Sequence, residues 1–158
     1  MCGIVGYIGF QEVTPIIING LKRMEYRGYD SAGIALLAGE TISITKRAGK
    51  VGDLENLVDL HPQSATIGIG HTRWATHGVP NDVNAHPHLD QTGSIALVHN
   101  GIIENHSAIR KRLERDGIEF KTDTDTESLV QLISAFFDIT QDLEQAVRLA
   151  LNEVDGTY

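Results

Sequence analysis

The 158-residue sequence is poor in cysteine, proline, tryptophan and positive charge. Its one cysteine excludes an intrachain disulfide and a zinc site built on several cysteines. Its four prolines form no Pro/Ser-rich linker that would divide the chain. Thirteen Lys and Arg against twenty-one Asp and Glu leave a net charge of −8. No net positive field draws phosphates in, so neither a nucleic-acid nor an anionic-membrane partner is expected. No apolar run approaches the ~18 residues that suggest a membrane span. The segment Met1 to Val5 has neither the basic start nor the apolar stretch of a signal peptide. The absences together describe a soluble, cytoplasmic domain, with residues 1–158 read as one unit. A chain of this size holds a core without disulfides. What it does have is sixteen glycines, clustered around polar motifs, and seven histidines.

Apolar periodicity places the elements. Ile4 to Ile8 is a short β-branched run between glycines and reads as a buried strand. Thr14-Pro15 reads as a helix start with Pro at the first helical position, followed by Ile17, Leu21 and Met24 on one face. Ile34 to Leu37 and Thr41 to Thr45 read as a hairpin, and Asp53 to Leu60 as a short helix. Thr66 to Gly70 and Ser94 to Val98 read as strands that run into polar segments. Asn105 or Ser107 is a candidate cap for one helix, and Thr124 or Asp125 for the next. Leu143, Val147, Ala150, Leu151 and Val154 mark a last helix, after which Asp155 to Tyr158 reads as a turn entering a strand. Strict βαβ alternation is absent, so helices over mainly antiparallel sheet, an α+β fold, are expected.

The polar clusters fall at strand ends, where a rigid sheet presents a site. Cys2 becomes chain-terminal if Met1 is removed. Its thiol then lies beside a free α-amine, whose reference pKa of about 7.7–8.0 leaves a useful neutral fraction near pH 7. Such an amine can take the thiol proton without a histidine. Asn100-Gly101 offers a carboxamide and a backbone N–H, the donor pair that a developing oxyanion needs. Arg73, near Thr76 and His77, offers a guanidinium fork for a carboxylate, and Asp125 the opposite charge for an ammonium group. Together they suit the head group of a free amino acid. Each residue also has a plain structural reading. Cys2 could simply open a strand, Asn100-Gly101 a hairpin turn, Arg73 a surface ion pair and Asp125 a helix cap. Trp74 suits either a lid or the core. His71, His77, His86, His88 and His99 raise a metal reading, but no carboxylate or cysteine completes a ligand spacing.

The set is more specific than its parts. Met1 to Gly6, Tyr26 to Gly33, His71 to Gly78, Asn84 to His88, Val98 to Asn105 and Thr124 to Glu127 occur in order. In this the chain resembles the glutaminase domain of the glutamine–fructose-6-phosphate aminotransferases, which are class II amidotransferases. Tyr29 and Trp74 set it apart from the related amidophosphoribosyltransferases, which tend to carry Gln and Tyr at those places. The resemblance implies the four-layered αββα sandwich of N-terminal-nucleophile hydrolases, here without its C-terminal part. It implies hydrolysis of L-glutamine to glutamate and ammonia through a Cys2 thioester, with no cofactor and no metal. Cys2 would be the nucleophile, and Asn100 and Gly101 the oxyanion hole. Arg73, Thr76 and His77 would hold the α-carboxylate, Asp125 the α-ammonium, and Trp74 would close over the site. Arg27 and Gly28 would line the pocket. It further implies sugar-isomerase domains beyond this chain, which would pass the ammonia to fructose 6-phosphate, and a homo-oligomeric full enzyme. A glutamine-binding fragment without turnover is the alternative.

Overall fold

The computed structural model describes residues 2–27, 30–74 and 78–158, without the side chain of Arg27. The first half is a helix-backed sheet. Strand β1 (Gly3–Ile8) leads to helix α1 (Val13–Met24), and then β2 (Ser31–Ala38) and β3 (Thr41–Ala48) form a hairpin. Helix α2 (Val51–Leu60) and strand β4 (Ile67–Arg73) follow. The four strands form one antiparallel sheet in the order β1-β4-β2-β3. Helices α1 and α2 lie on one face of it. Their apolar stripes, with Val13, Ile17, Leu21, Leu54 and Val58, bury against Ile34 and Leu36 of β2. Each such side chain contributes roughly 1.5–3 kcal/mol on burial.

The other half faces the opposite side of that sheet. Two short ladders pair β5 (His88–Leu89) with β6 (Ala96–Leu97), and β7 (Ile102–Ile103) with β8 (Gly156–Thr157). Helix α4 (Asp125–Thr140) packs on β5, β6 and β7, and is itself covered by α3 (His106–Arg115) and α5 (Leu143–Glu153). A second core of Ile103, Ile109, Leu113, Leu129, Leu132 and Ile133 fills this half. The layers are thus helix, sheet, ladders, helix, the αββα arrangement expected.

Several boundaries differ from the sequence reading. Helix α1 begins at Val13, so Pro15 is its third residue rather than its first. The N–H that Pro15 lacks would have no intrahelical partner at either position, so the shift costs nothing. Strand β4 runs on through His71-Thr72-Arg73, which the sequence presents as a polar segment. It lies in mid-sheet, between β1 and β2, and pairing on both sides extends it. Strand β7 carries no alternation and is not legible beforehand. Asn105 occupies the cap position of α3, but its side chain donates to the Glu153 carbonyl and accepts from the Asp155 N–H instead.

The start of α4 is built more firmly. Thr124 Oγ1 accepts from the Glu127 N–H. Glu127 turns back to accept from the N–H groups of Lys121 and Thr122. The Thr-x-x-Glu spacing is that of a capping box, but the carboxylate serves the preceding turn. Asp125 and Glu127 both complement the positive end of the helix dipole.

Candidate active site

The end of β4 organises the site. Successive side chains of a strand point to opposite faces, so His71 and Arg73 face the second half of the molecule while Thr72 faces away. Thr72 Oγ1 accepts from the Gly3 N–H at 3.0 Å, which fixes the residue following Cys2. The Trp74 N–H donates to Cys2 Sγ at 3.1 Å. His71 Nε2 lies 2.8 Å from Asn100 Oδ1. Two residues of this strand end, His71 and Thr72, and Trp74 just past it therefore touch or position the cysteine and its neighbours.

Cys2, Arg73, Trp74 and Asp125 line one pocket, although they come from separate parts of the chain. Its enclosed volume is about 20 Å³, which is room for a single water. Arg73 is buried, so its reading as a surface ion pair fails. Its guanidinium sits 3.9 Å from Asp30 Oδ1 and donates to the Gly78 carbonyl at 3.3 Å. Both contacts are longer than the ~2.7–2.9 Å of a strong charge-assisted bond. Asp125 is the first residue of α4 and is buried; its Oδ2 accepts from the Ile103 N–H at 2.8 Å. That bond ties the carboxylate to β7, just past Asn100-Gly101. Trp74 is 55% exposed, so the core reading is excluded for it. Thr76, His77 and Gly28 lie outside the described residues, as does the side chain of Arg27.

Asn100 Nδ2 reaches toward the Cys2 carbonyl at 3.5 Å, which places the carboxamide beside the nucleophile candidate. Gly101 has φ +151°, a left-handed conformation that side chains resist. A Cβ there would also lie 2.0 Å from the Thr157 carbonyl oxygen. Only glycine lets β8 close over this bend. Asn100-Gly101 is not a hairpin turn, because β6 and β7 do not pair, and the bend delivers the carboxamide to Cys2.

Four histidines surround the site. The rings of His71 and His86 stack at 4.3 Å, and those of His86 and His88 meet edge-on at 4.6 Å. Among the described residues no group of three or more His, Cys, Asp or Glu is placed to hold a metal ion. Burial keeps the rings of His71, His86 and His88 neutral. It lowers His71 to about 4, and it lowers His86 and His88 well below the ordinary histidine value. In the unfolded chain each titrates near about 6.5. Between those limits the unfolded state binds more protons than the folded one, so stability rises with pH. The stabilisation is complete above pH ~6.5 and is lost as pH falls below it. Urea midpoints are expected to fall steadily from pH 6.5 to 5. Asp90, whose pKa is lowered by bonds from Thr92, Ile95 and Ser134 that outweigh its burial, adds to the loss only below the ordinary aspartate range. A level midpoint from pH 7 to 5 would contradict the neutral cluster.

The comparisons with known proteins converge on one family. The model of the glutamine amidotransferase domain matches residues 58–144. The chain is 52% identical over 158 residues to the glutamine–fructose-6-phosphate aminotransferase (isomerizing) of Symbiobacterium thermophilum, a match covering 100% of this chain and 26% of that protein. Against the Bacteroides thetaiotaomicron protein of the same name it is 55% identical over 161 residues, again 100% and 26%. The chain thus spans about a quarter of the length of these curated relatives. Among solved structures it is similar to the glutamine phosphoribosylpyrophosphate amidotransferase of B. subtilis complexed with ADP and GMP. That match has a TM-score of 0.83 and 30% identity, over 99% of this chain and 33% of the other. A second, described as the allosteric regulatory enzyme of purine biosynthesis, has a TM-score of 0.84 and 31% identity, over 100% and 34%. These neighbours have the N-terminal-nucleophile hydrolase architecture expected from the motifs. With the family model covering over half of it, the chain belongs to the glutamine amidotransferase domain family.

Proposed function

We propose that residues 1–158 form one glutaminase unit that hydrolyses L-glutamine to glutamate and ammonia. The observation that carries this reading is the shared pocket of Cys2, Arg73 and Asp125. It brings a nucleophile together with a cation for an α-carboxylate and an anion for an α-ammonium group. Arg73, buried at the pocket wall, takes the substrate carboxylate through its guanidinium fork. Asp125, already oriented by the Ile103 N–H, takes the ammonium. Thr76, His77, Arg27 and Gly28 complete the binding surface in this reading. The exposed Trp74, which lines the pocket, is placed to cover the substrate.

The chemistry then follows in balanced steps. The α-amine exposed by loss of Met1 takes the thiol proton of Cys2. The sulfur attacks the side-chain carboxamide carbon, and negative charge collects on its oxygen. Asn100 Nδ2–H and the Gly101 N–H stabilise that charge. The C–N bond breaks, and the leaving nitrogen takes the proton back from the α-ammonium group of Cys2 and departs as ammonia. Water then cleaves the thioester, releasing glutamate and restoring the thiol. The relatives are named for amino transfer to fructose 6-phosphate, and in our reading the ammonia serves such an acceptor, bound by isomerase domains outside this chain. Hydroxylamine tests the intermediate. It attacks the thioester carbonyl and returns the thiol, so γ-glutamyl hydroxamate is expected at the expense of glutamate. Hydrolysis with no hydroxamate at high hydroxylamine would overturn the covalent route.

A further inference from the structure

Asn100 is exposed and lies outside regular structure, and an asparagine carboxamide has a broad torsional well. Something has to aim it. We propose that His71 is a positioning residue that donates its Nε2–H to Asn100 Oδ1 and so keeps the Asn100 amide hydrogens turned toward Cys2. The proposal rests on the reading of Asn100 as the oxyanion donor.

The direction of the bond follows from the contacts on both sides. Asn100 Nδ2 faces the Cys2 carbonyl, which can only accept, so the opposite end of the carboxamide, Oδ1, faces His71. Oδ1 also only accepts, so the proton between them belongs to His71 Nε2. The amide assignment and the histidine tautomer therefore fix each other. Burial holds the ring neutral, with its pKa at about 4, so this arrangement persists across the neutral range.

His71 is well built for such a task. It is fully buried in β4, paired with Ile4 on one side and Gly33 on the other. His86 stacks on its ring at 24° between planes. Gly33 makes room for that stack, since a Cβ there would lie 2.2 Å from the His86 carbonyl oxygen. The ring is thus clamped between strand and neighbour and cannot follow Asn100 if the amide rotates. A donor bond to Oδ1 also draws electron density from the amide nitrogen, which makes Nδ2–H a better donor to a developing oxyanion. That gain is felt in the transition state more than in substrate binding. With its one proton committed to Asn100, His71 is not a base in the reaction.

The test is steady-state glutamine hydrolysis by the intact protein, with thermal melts for each variant. His71→Phe keeps a stacking ring without the donor. It is expected to lower kcat by about 10–100-fold, short of the ~10²–10³ for loss of an oxyanion donor itself, with KM within about threefold. His71→Gln puts an N–H near the place of Nε2 and is expected to recover most of the rate. In an Asn100→Ala background, His71→Phe is expected to change kcat less than about twofold, because the group it aims is gone. If His71→Phe does not fold, His71→Asn, whose amide is too short to reach, takes its place and is expected to show the same loss. Wild-type kcat in the donor-free variant, or its full loss persisting in the Asn100→Ala background, would overturn the proposal. Absence of glutamine hydrolysis in the wild-type protein would instead overturn the glutaminase reading, and retained activity in Cys2→Ala its covalent route, so these failures are distinguishable from failure of the positioning role.

Discussion

Cys2→Ala is expected to lower glutamine hydrolysis by about 10⁴-fold or more, the scale seen when a nucleophile is removed from an acyl-transfer site. The variant removes one atom that bonds to the substrate and little else. Cys2 is only partly buried, and its sulfur contacts the Trp74 backbone rather than a packed core. The anchor for this end of the chain is the next residue, whose N–H bonds to Thr72 in β4 and which pairs there in register. The fold should therefore be unchanged, with a melting temperature close to wild type. Arg73 and Asp125 remain in place, so glutamine binding measured by calorimetry is expected to persist. Loss of turnover with retained binding is the signature of a missing nucleophile. Loss of both would place Cys2 in the binding surface instead.

Asn100→Ala is expected to lower kcat by about 10²–10³-fold while leaving KM nearly unchanged. In the proposed reaction the carboxamide faces the developing charge, and Asn100 is not among the residues that line the pocket with Arg73 and Asp125. Its removal also strands the buried His71 N–H, and an unpaired buried donor costs roughly 1–3 kcal/mol. A modest fall in melting temperature should accompany the kinetic loss. Asn100→Asp separates the two effects. It keeps an acceptor for His71, so stability is preserved, but it sets a negative charge against the oxyanion. Its kcat is expected to fall further than that of the alanine variant. Equal kcat for Asn100→Ala and wild type would remove Asn100 from the oxyanion site.

The contrast between these residues and their surroundings shows what the sequence could reveal. The β2–β3 hairpin, α4 and α5 were legible because their apolar periodicity is regular, and the cap of α4, Thr124, is of the expected type. Arg73 and Asp125, read from charge chemistry as opposite poles for an amino acid, do line one pocket. What surrounds them was hidden. His71-Thr72-Arg73 lacks the apolar alternation that marks strands, and becomes one because neighbours on both sides supply hydrogen-bond partners. The histidines suggested metal ligands by their number. In the fold their rings pack on one another, and one of them binds Asn100, 29 residues away in sequence. No local pattern encodes that contact. The position of Trp74 was likewise undecided, because whether an aromatic side chain ends up in the core or at a pocket edge depends on what the neighbouring strands leave uncovered.

The central claim is that Cys2 acts as a chain-terminal nucleophile with its own α-amine as base. Mass spectrometry of the N-terminus, set against the glutaminase rate of the same preparations, tests it most directly. The account predicts a rate proportional to the fraction that begins at Cys2, and none from chains that keep Met1. Full activity in a preparation that retains Met1 would contradict it.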